Sequence, residues 1–261
     1  MKKYSILKYN IGNYDPHPEE IENPSEICEY VYVTDDKNFS SHTWKIIYVE
    51  NPFPEDPFFL CYYIRFHPFE YVSTEVVIRI DCAMRIPDPK KVDNLYSNFI
   101  ESDCDICASI HYLVDNYTYM MNTYKWLGRT DDEEIRNLTQ YFIDNGYPPT
   151  YRGMIAMTCM IMKDSYTSDI FNSRMFRILR ELKLPNKKIQ RDDQIPATYV
   201  LNKYMWGCPW IKFMDWSIWN RDYFLWYDHQ GNYVNQYYDM YIPKVFWNRE
   251  LTSEDFIKGL S

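Results

Sequence analysis

Short apolar segments alternate with helical segments along most of the chain. Segments rich in β-branched and aromatic residues predict strands at residues 4–7, 29–33, 44–49, 75–80, 105–110 and 154–162. Helix signals predict helices at 57–71 with a break near Pro68, and at 89–100, 119–127, 131–146, 168–182 and 192–204. Strands that alternate with helices in this way indicate an α/β fold with an open sheet.

Composition narrows the range of functions. The chain has 261 residues and a formal net charge of −9, which argues against a nucleic-acid groove. No apolar run is long enough to predict a membrane span. The start, Met1-Lys2-Lys3-Tyr4, has no apolar signal core, and the seven cysteines have no regular spacing, so we expect reduced thiols and a cytoplasmic protein. We predict a single domain over residues 1–261.

Several polar residues stand just beyond predicted strands, where open α/β sheets bind their ligands. These residues are Asp15, Asp35, Asp36, Asp81 and His111. A carboxylate such as Asp81 at the end of a buried strand is a candidate ligand for Mg²⁺ or Mn²⁺, or else it caps the next segment. Asp35 and Asp36 either accept hydrogen bonds from a base or ribose, or form an ordinary polar turn.

Two later positions also carry titratable groups. Asp192 and Asp193 begin a predicted helix, where one carboxylate is a candidate base for an acceptor hydroxyl. Acidic residues are also common at helix starts for electrostatic reasons alone. His229 lies in a predicted loop and is either a metal or phosphate ligand or a surface residue. The sequence contains no Gly-rich phosphate loop, Gly-x-Ser-x-Gly elbow or His-Glu-x-x-His helix.

The order of several short motifs resembles a glycosyltransferase-like family that includes plant mucilage-related and turgor-regulation proteins. The matching motifs are Gly12-Asn13-Tyr14-Asp15, Thr34-Asp35, Trp44-Lys45-Ile46, Arg65-Phe66-His67-Pro68, Ile80-Asp81, Ile110-His111, Tyr141 with Gly146-Tyr147-Pro148, Gly153-Met154-Ile155, and Arg191 with Asp193-Gln194. The likeness covers residues 4–205, and residues 206–261 form an aromatic-rich extension. It implies a GT-A-like, Rossmann-related open mixed sheet flanked by helices, and transfer of a sugar from a nucleotide-sugar donor.

The expected transferase activity assigns roles to individual residues, both within the stretch that the resemblance covers and beyond it. Those expected to bind the donor are Tyr14, Asp15, Asp35, Arg65 and His111. Asp81, together with His229, would hold a divalent ion, Mn²⁺ or Mg²⁺. Asp193 or Asp192 would bind or deprotonate the acceptor, which is a glycan or another hydroxyl compound. Contacts to that acceptor are expected from Gln194, Trp206 and Trp210, and core packing is the alternative role for the tryptophans.

Two departures from the family pattern favour an alternative function. Val114 stands where the family has an arginine, and no Asp-x-Asp pair is present at Asp81. The alternative is a non-catalytic carbohydrate-binding or assembly protein on the same fold.

Overall fold

The computed structural model describes residues 1–52, 57–110, 121, 125, 131–146, 155–183, 193–205, 208–214 and 223–226. The strands in these ranges are β1 (Tyr4–Asn10), β2 (Cys28–Thr34), β3 (Lys45–Tyr48), β4 (Val76–Ile80), β5 (Met84–Arg85), β6 (Ile106–Ile110), β7 (Ile155–Lys163), β8 (Ile211–Met214) and β9 (Leu225–Trp226). The helices are α1 (Pro57–Phe66), α2 (Pro89–Glu101), α3 (Asp132–Asp144), α4 (Tyr166–Lys183) and α5 (Gln194–Tyr204), and a short 3-10 helix covers Pro68–Glu70.

Local sequence chemistry sets several of these ends. The Asp88 carboxylate accepts a hydrogen bond of 3.0 Å from the Lys90 backbone N–H, and Pro89 follows as the first residue of α2. A turn that includes Gly146 follows α3, and the φ of this glycine, 76°, lies in the left-handed region that glycine adopts without strain.

Seven of the described strands form one open sheet in the order β3-β2-β1-β4-β7-β6-β8. Strands β3, β2, β1 and β4 are parallel to one another, whereas β7 runs antiparallel to both of its neighbours, β4 and β6. A small antiparallel pair, β5 with β9, lies apart from this sheet. The chain runs outward from β1 through β2 to β3 and then returns to β4 on the other side of β1. The strand order therefore reverses between β1 and β4.

Both faces of the sheet carry a hydrophobic core, because successive side chains of a strand point to opposite faces. On β1, Leu7 and Tyr9 pack into the core that includes residues of α1, α3, α4 and α5. Ile6, on the other face, packs into the core that includes residues of α2. The fold is thus a mixed α/β sheet flanked by helices, as predicted.

The predicted elements are largely confirmed. All six predicted strands are present, and the helix predicted over 57–71 ends at Phe66, before the 3-10 helix that begins at Pro68. Of the helix predicted at 119–127, the structure describes Met121 and Lys125, and both are helical. The short strands β5, β8 and β9 were not predicted.

No helix in the described ranges has the length and apolar character needed to cross a bilayer. All seven cysteines lie in the described part of the chain, and each is a free thiol.

Candidate functional site

The point where the strand order reverses, between β1 and β4, holds a cluster of charged side chains. In an open α/β sheet, ligands bind at this place, in the crevice outside the carboxyl ends of the strands. Leu7 of β1 pairs with Arg79 of β4. Continuing this register by two residues brings Tyr9 opposite Asp81 on the same face of the sheet.

Arg65 joins the elements around this crevice. It lies in the last turn of α1, and its side chain is only 14% exposed. One terminal nitrogen, Nη2, donates to Asp81 Oδ1 at 2.6 Å, and the other, Nη1, donates to Asp193 Oδ2. Its Nε donates to the Tyr9 hydroxyl. A single guanidinium, whose planar fork suits two carboxylates at once, therefore connects β1, β4, α1 and the start of α5.

The Asp81 carboxyl has a perturbed pKa. Burial raises this pKa to about 6, and the negative charges of Asp193 and Asp15 act in the same direction, while the positive charge of Arg65 opposes them. The Asp81 side chain is 29% exposed, so solvent reaches its carboxyl group. A titratable group with a shifted pKa at a strand end is typical of a functional site.

Asp193 occupies the N-cap position of α5 but does not cap the helix. Its side chain makes no capping hydrogen bond and is instead bound to Arg65, with 6% of the side chain exposed. The positive end of the helix dipole still favours a negative charge at this place. The carboxylate that the sequence predicts as a catalytic base is thus held toward the crevice rather than along its own helix.

Arg79 is a second buried cation in the cluster, and it was not predicted. The residue is 2% exposed, and its Nη1 donates to the backbone oxygen of Arg65. Its Nε has no hydrogen-bond partner among the described residues. Burial, and then the charge of Arg65, lower the pKa of Arg79 to about 10. The signal in the sequence was a charged residue inside the apolar strand β4.

The loops after β1 and β2 meet at the same edge of the sheet. The side chain of Asn10 closes the first loop, accepting from the Asp15 N–H at 3.1 Å and donating to the Asp15 oxygen at 2.5 Å. The Asp35 carboxylate accepts from the Gly12 N–H at 3.0 and 3.1 Å, and the φ of Gly12 is 72°. Tyr14 is half-buried within the first loop.

A histidine that was not predicted lies beside these loops. The two ring nitrogens of His17 lie 2.8 Å from the Tyr32 hydroxyl and 3.0 Å from Asp36 Oδ2. Its ring stacks on Phe39 with the centroids 4.2 Å apart. Hydrogen bonds from the Asn38 backbone and from His17 lower the pKa of Asp36. Asp36 is therefore a structural turn residue as well as a polar group at the strand end.

Lys8 supports the segment that follows Asp81 from the opposite face of the sheet. Its Nζ donates to the backbone oxygen of Cys82 at 3.2 Å and to that of Met84, and lies 5.4 Å from the centre of the Trp44 ring. Lys8 is 2% exposed, and burial lowers its pKa to about 8.

The structure brings together three of the predicted site residues, Arg65, Asp81 and Asp193. The predicted donor residues Tyr14, Asp15 and Asp35 lie in loops at the same edge of the sheet. Gln194 follows Asp193 as the first residue of α5. Four predicted site residues lie outside the described residues, namely Asp192, His111, Trp206 and His229.

Trp210 is not brought to this cluster. Its backbone oxygen accepts from the N–H groups of Asp105 and Ile106, at the amino-terminal end of β6. Because β4 and β6 both run antiparallel to β7, they run in the same direction, and Asp81 lies at the opposite end. Trp210 is 51% exposed at that far edge.

The described residues do not assemble a metal centre. Within the described ranges, no three His, Cys, Asp or Glu side chains lie close enough together to ligate one ion. The Asp81 oxygen Oδ1 is bound to Arg65 instead. The divalent ion expected on Asp81 and His229 therefore stays a prediction, and His229 lies outside the described residues.

Comparisons with known proteins find similar solved structures. The apo form of mouse xyloside xylosyltransferase 1 is similar over 82% of this chain and 86% of that chain, with a TM-score of 0.45 and 8% sequence identity. No protein-family model matches the chain, and no curated protein matches it.

Proposed function

We propose that this protein is a glycosyltransferase that moves a sugar from a nucleotide-sugar donor to a hydroxyl acceptor. The observation that supports this most is the Arg65 cluster. A cation bound to two carboxylates lies where the strand order reverses, between β1 and β4. The motif order that resembles a glycosyltransferase-like family points to the same class of reaction.

On this proposal the donor lies across the loops that follow β1 and β2. The backbone and side chains of Tyr14, Asp15 and Asp35 face the nucleoside, because polar loops at this edge suit a ribose and base. Arg65 faces the diphosphate. A chain with a net charge of −9 does not attract an anionic donor as a whole, so local groups such as the Arg65 guanidinium have to supply that attraction.

The chemical step on this proposal is a displacement at the anomeric carbon. The acceptor oxygen forms a bond to that carbon while the bond to the diphosphate oxygen breaks, and the nucleoside diphosphate leaves with the electron pair. The proton of the acceptor hydroxyl passes to a carboxylate, and Asp193 is our candidate for this base. Asp192 is the other candidate from the sequence, and Gln194 and Trp206 are the expected acceptor contacts. The charge that develops on the leaving group is stabilised by Arg65.

The test is release of nucleoside diphosphate from a panel of nucleotide sugars, offered with a panel of hydroxyl acceptors. The wild-type protein is assayed once with Mn²⁺ and once with EDTA. Release from at least one donor supports the proposal. The EDTA arm tests the predicted ion separately: loss of release supports a requirement for a divalent ion, and unchanged release contradicts it.

The alternative function is carbohydrate binding or assembly without catalysis. One observation favours it: Asp193 is 4% exposed, and Arg65 binds Asp193 and Asp81 together, as in a structural ion-pair network. Absence of release with every donor, combined with direct binding of a glycan, would support this alternative and overturn the transferase proposal.

A further inference from the structure

A second cavity lies among the helices α3, α4 and α5, away from the Arg65 cluster. It has a volume of about 270 Å³, and the residues that line it include Tyr141, Arg174, Arg177, Glu181, Tyr199 and Tyr204. Asp193 precedes α5, and the cavity residues Tyr199 and Tyr204 lie about 9 and 16 Å further along the helix axis. The cavity is therefore distinct from the crevice between β1 and β4.

Tyrosine rings form the apolar part of this cavity. Tyr204 is 41% exposed, and its ring centre lies 5.9 Å from that of Tyr199 in an edge-on arrangement. The guanidinium carbon of Arg174 lies 4.6 Å from the centre of the Tyr204 ring. Partly exposed aromatic rings with polar edges suit a ligand that has both apolar C–H faces and polar groups, as a sugar ring has.

The charges of the cavity favour an anion of low charge. Arg177 forms an ion pair of 2.8 Å with Glu181, which also accepts from the Tyr141 hydroxyl at 2.9 Å. Arg174 has no carboxylate partner among the described residues, and Lys203 lies 5.2 Å from the centre of the Tyr199 ring. Positive charge is therefore in excess here although the whole chain is acidic. The Glu181 carboxylate disfavours a doubly charged phosphate and offers an acceptor for hydroxyl groups.

We propose that this cavity binds an acidic saccharide, with the carboxylate of a uronic acid at Arg174 and the sugar ring against the tyrosines. The choice of a saccharide rests on the proposed function, because a transferase that acts on a glycan gains from a second contact to it. The charge preference rests only on Arg174, Arg177 and Glu181.

The test is calorimetric titration of the full chain with an oligomer of hexuronic acid and with its methyl ester, which lacks the charge and carries one added methyl group on each carboxyl. We expect the acid to bind at least about tenfold more tightly than the ester at low salt, and this preference to shrink at high salt. Arg174→Gln is expected to abolish the preference. Tyr204→Ala is expected to weaken both ligands.

The matched control is Arg180→Gln, which removes an exposed arginine from the same helix outside the cavity and should leave binding unchanged. Equal binding of acid and ester, an unchanged preference in Arg174→Gln, or tighter binding of adenosine monophosphate than of the uronic acid would overturn the inference. Asp193→Asn should keep this binding, because Asp193 is not among the residues that line the cavity. A failure of acidic-saccharide binding in the cavity can therefore be distinguished from a failure of the transferase proposal.

Discussion

Arg65 Nη2 lies 2.6 Å from Asp81 Oδ1, so that a helix end and a strand end meet through one ion pair. The same guanidinium binds Asp193, which is 128 residues further along the chain. These contacts hold α1, β4 and α5 together at the crevice. Charge balance at this crevice therefore affects both the stability of the fold and the chemistry proposed for it.

Loss of the guanidinium should destabilise the protein strongly. In Arg65→Met, two carboxylates of low exposure lose their cation, and we expect the free energy of unfolding to fall by about 3–5 kcal/mol. Arg65→Lys keeps a charge but not the fork that reaches both carboxylates, so an intermediate loss is expected. Urea unfolding at neutral pH measures both variants.

The control for this series is Arg85→Met, because Arg85 pairs at the surface with Glu19, whose side chain is 58% exposed. A surface pair of this kind contributes about 1 kcal/mol or less. Equal losses in Arg65→Met and Arg85→Met would show that the cluster is not a buried ion-pair network.

Asp81 should make the free energy of unfolding depend on pH in the acidic range. Its pKa of about 6 in the fold exceeds its ordinary value of 3.8, so unfolding releases a proton between these values and stability falls as pH rises. Asp81→Asn removes this titration. We expect the unfolding free energy of the variant relative to wild type to rise by up to about 3 kcal/mol from pH 4 to pH 7. Urea unfolding of both proteins at several pH values measures this difference. A difference in unfolding free energy that stays constant from pH 4 to pH 7 would contradict the raised pKa of Asp81.

Lys8 should give the free energy of unfolding the opposite pH dependence in the alkaline range. Its pKa of about 8 lies below the ordinary 10.5, so unfolding takes up a proton between these values and wild-type stability rises with pH. We expect Lys8→Met to lose up to about 3 kcal/mol of stability relative to wild type between pH 8 and pH 10.5. The same substitution at the exposed Lys3 is the control. A difference between the Lys8 variant and wild type that does not change with pH would contradict the lowered pKa of the buried Lys8.

The sequence was sufficient to predict the strands that form the crevice. An apolar run that ends in a carboxylate identified β4 and Asp81, and acidic residues at a helix start identified Asp193. Their contact through Arg65 was not predictable, because it joins residues that are 16 and 128 positions apart in the chain. Sequence spacing carries no information on such distant pairs.

The charged residues buried in β1 and β4 were also missed. Lys8 and Arg79 interrupt apolar strands, and local pattern alone does not show whether such a side chain is exposed or buried with partners. The edge strand β8 was not predicted, because it has only four residues and lies in an aromatic-rich stretch. Its pairing with β6 is a tertiary contact rather than a local preference.

The most direct test of the central claim compares Asp193→Asn with Asp103→Asn, using the donor that the wild type cleaves. The control makes the same chemical change at an exposed turn residue with a φ of 50°, which asparagine tolerates. We predict that both variants bind the donor and that Asp193→Asn releases nucleoside diphosphate at least about 100-fold more slowly, whereas Asp103→Asn matches the wild type. Release by Asp193→Asn at the wild-type rate would contradict the assignment of this cluster as the site of sugar transfer.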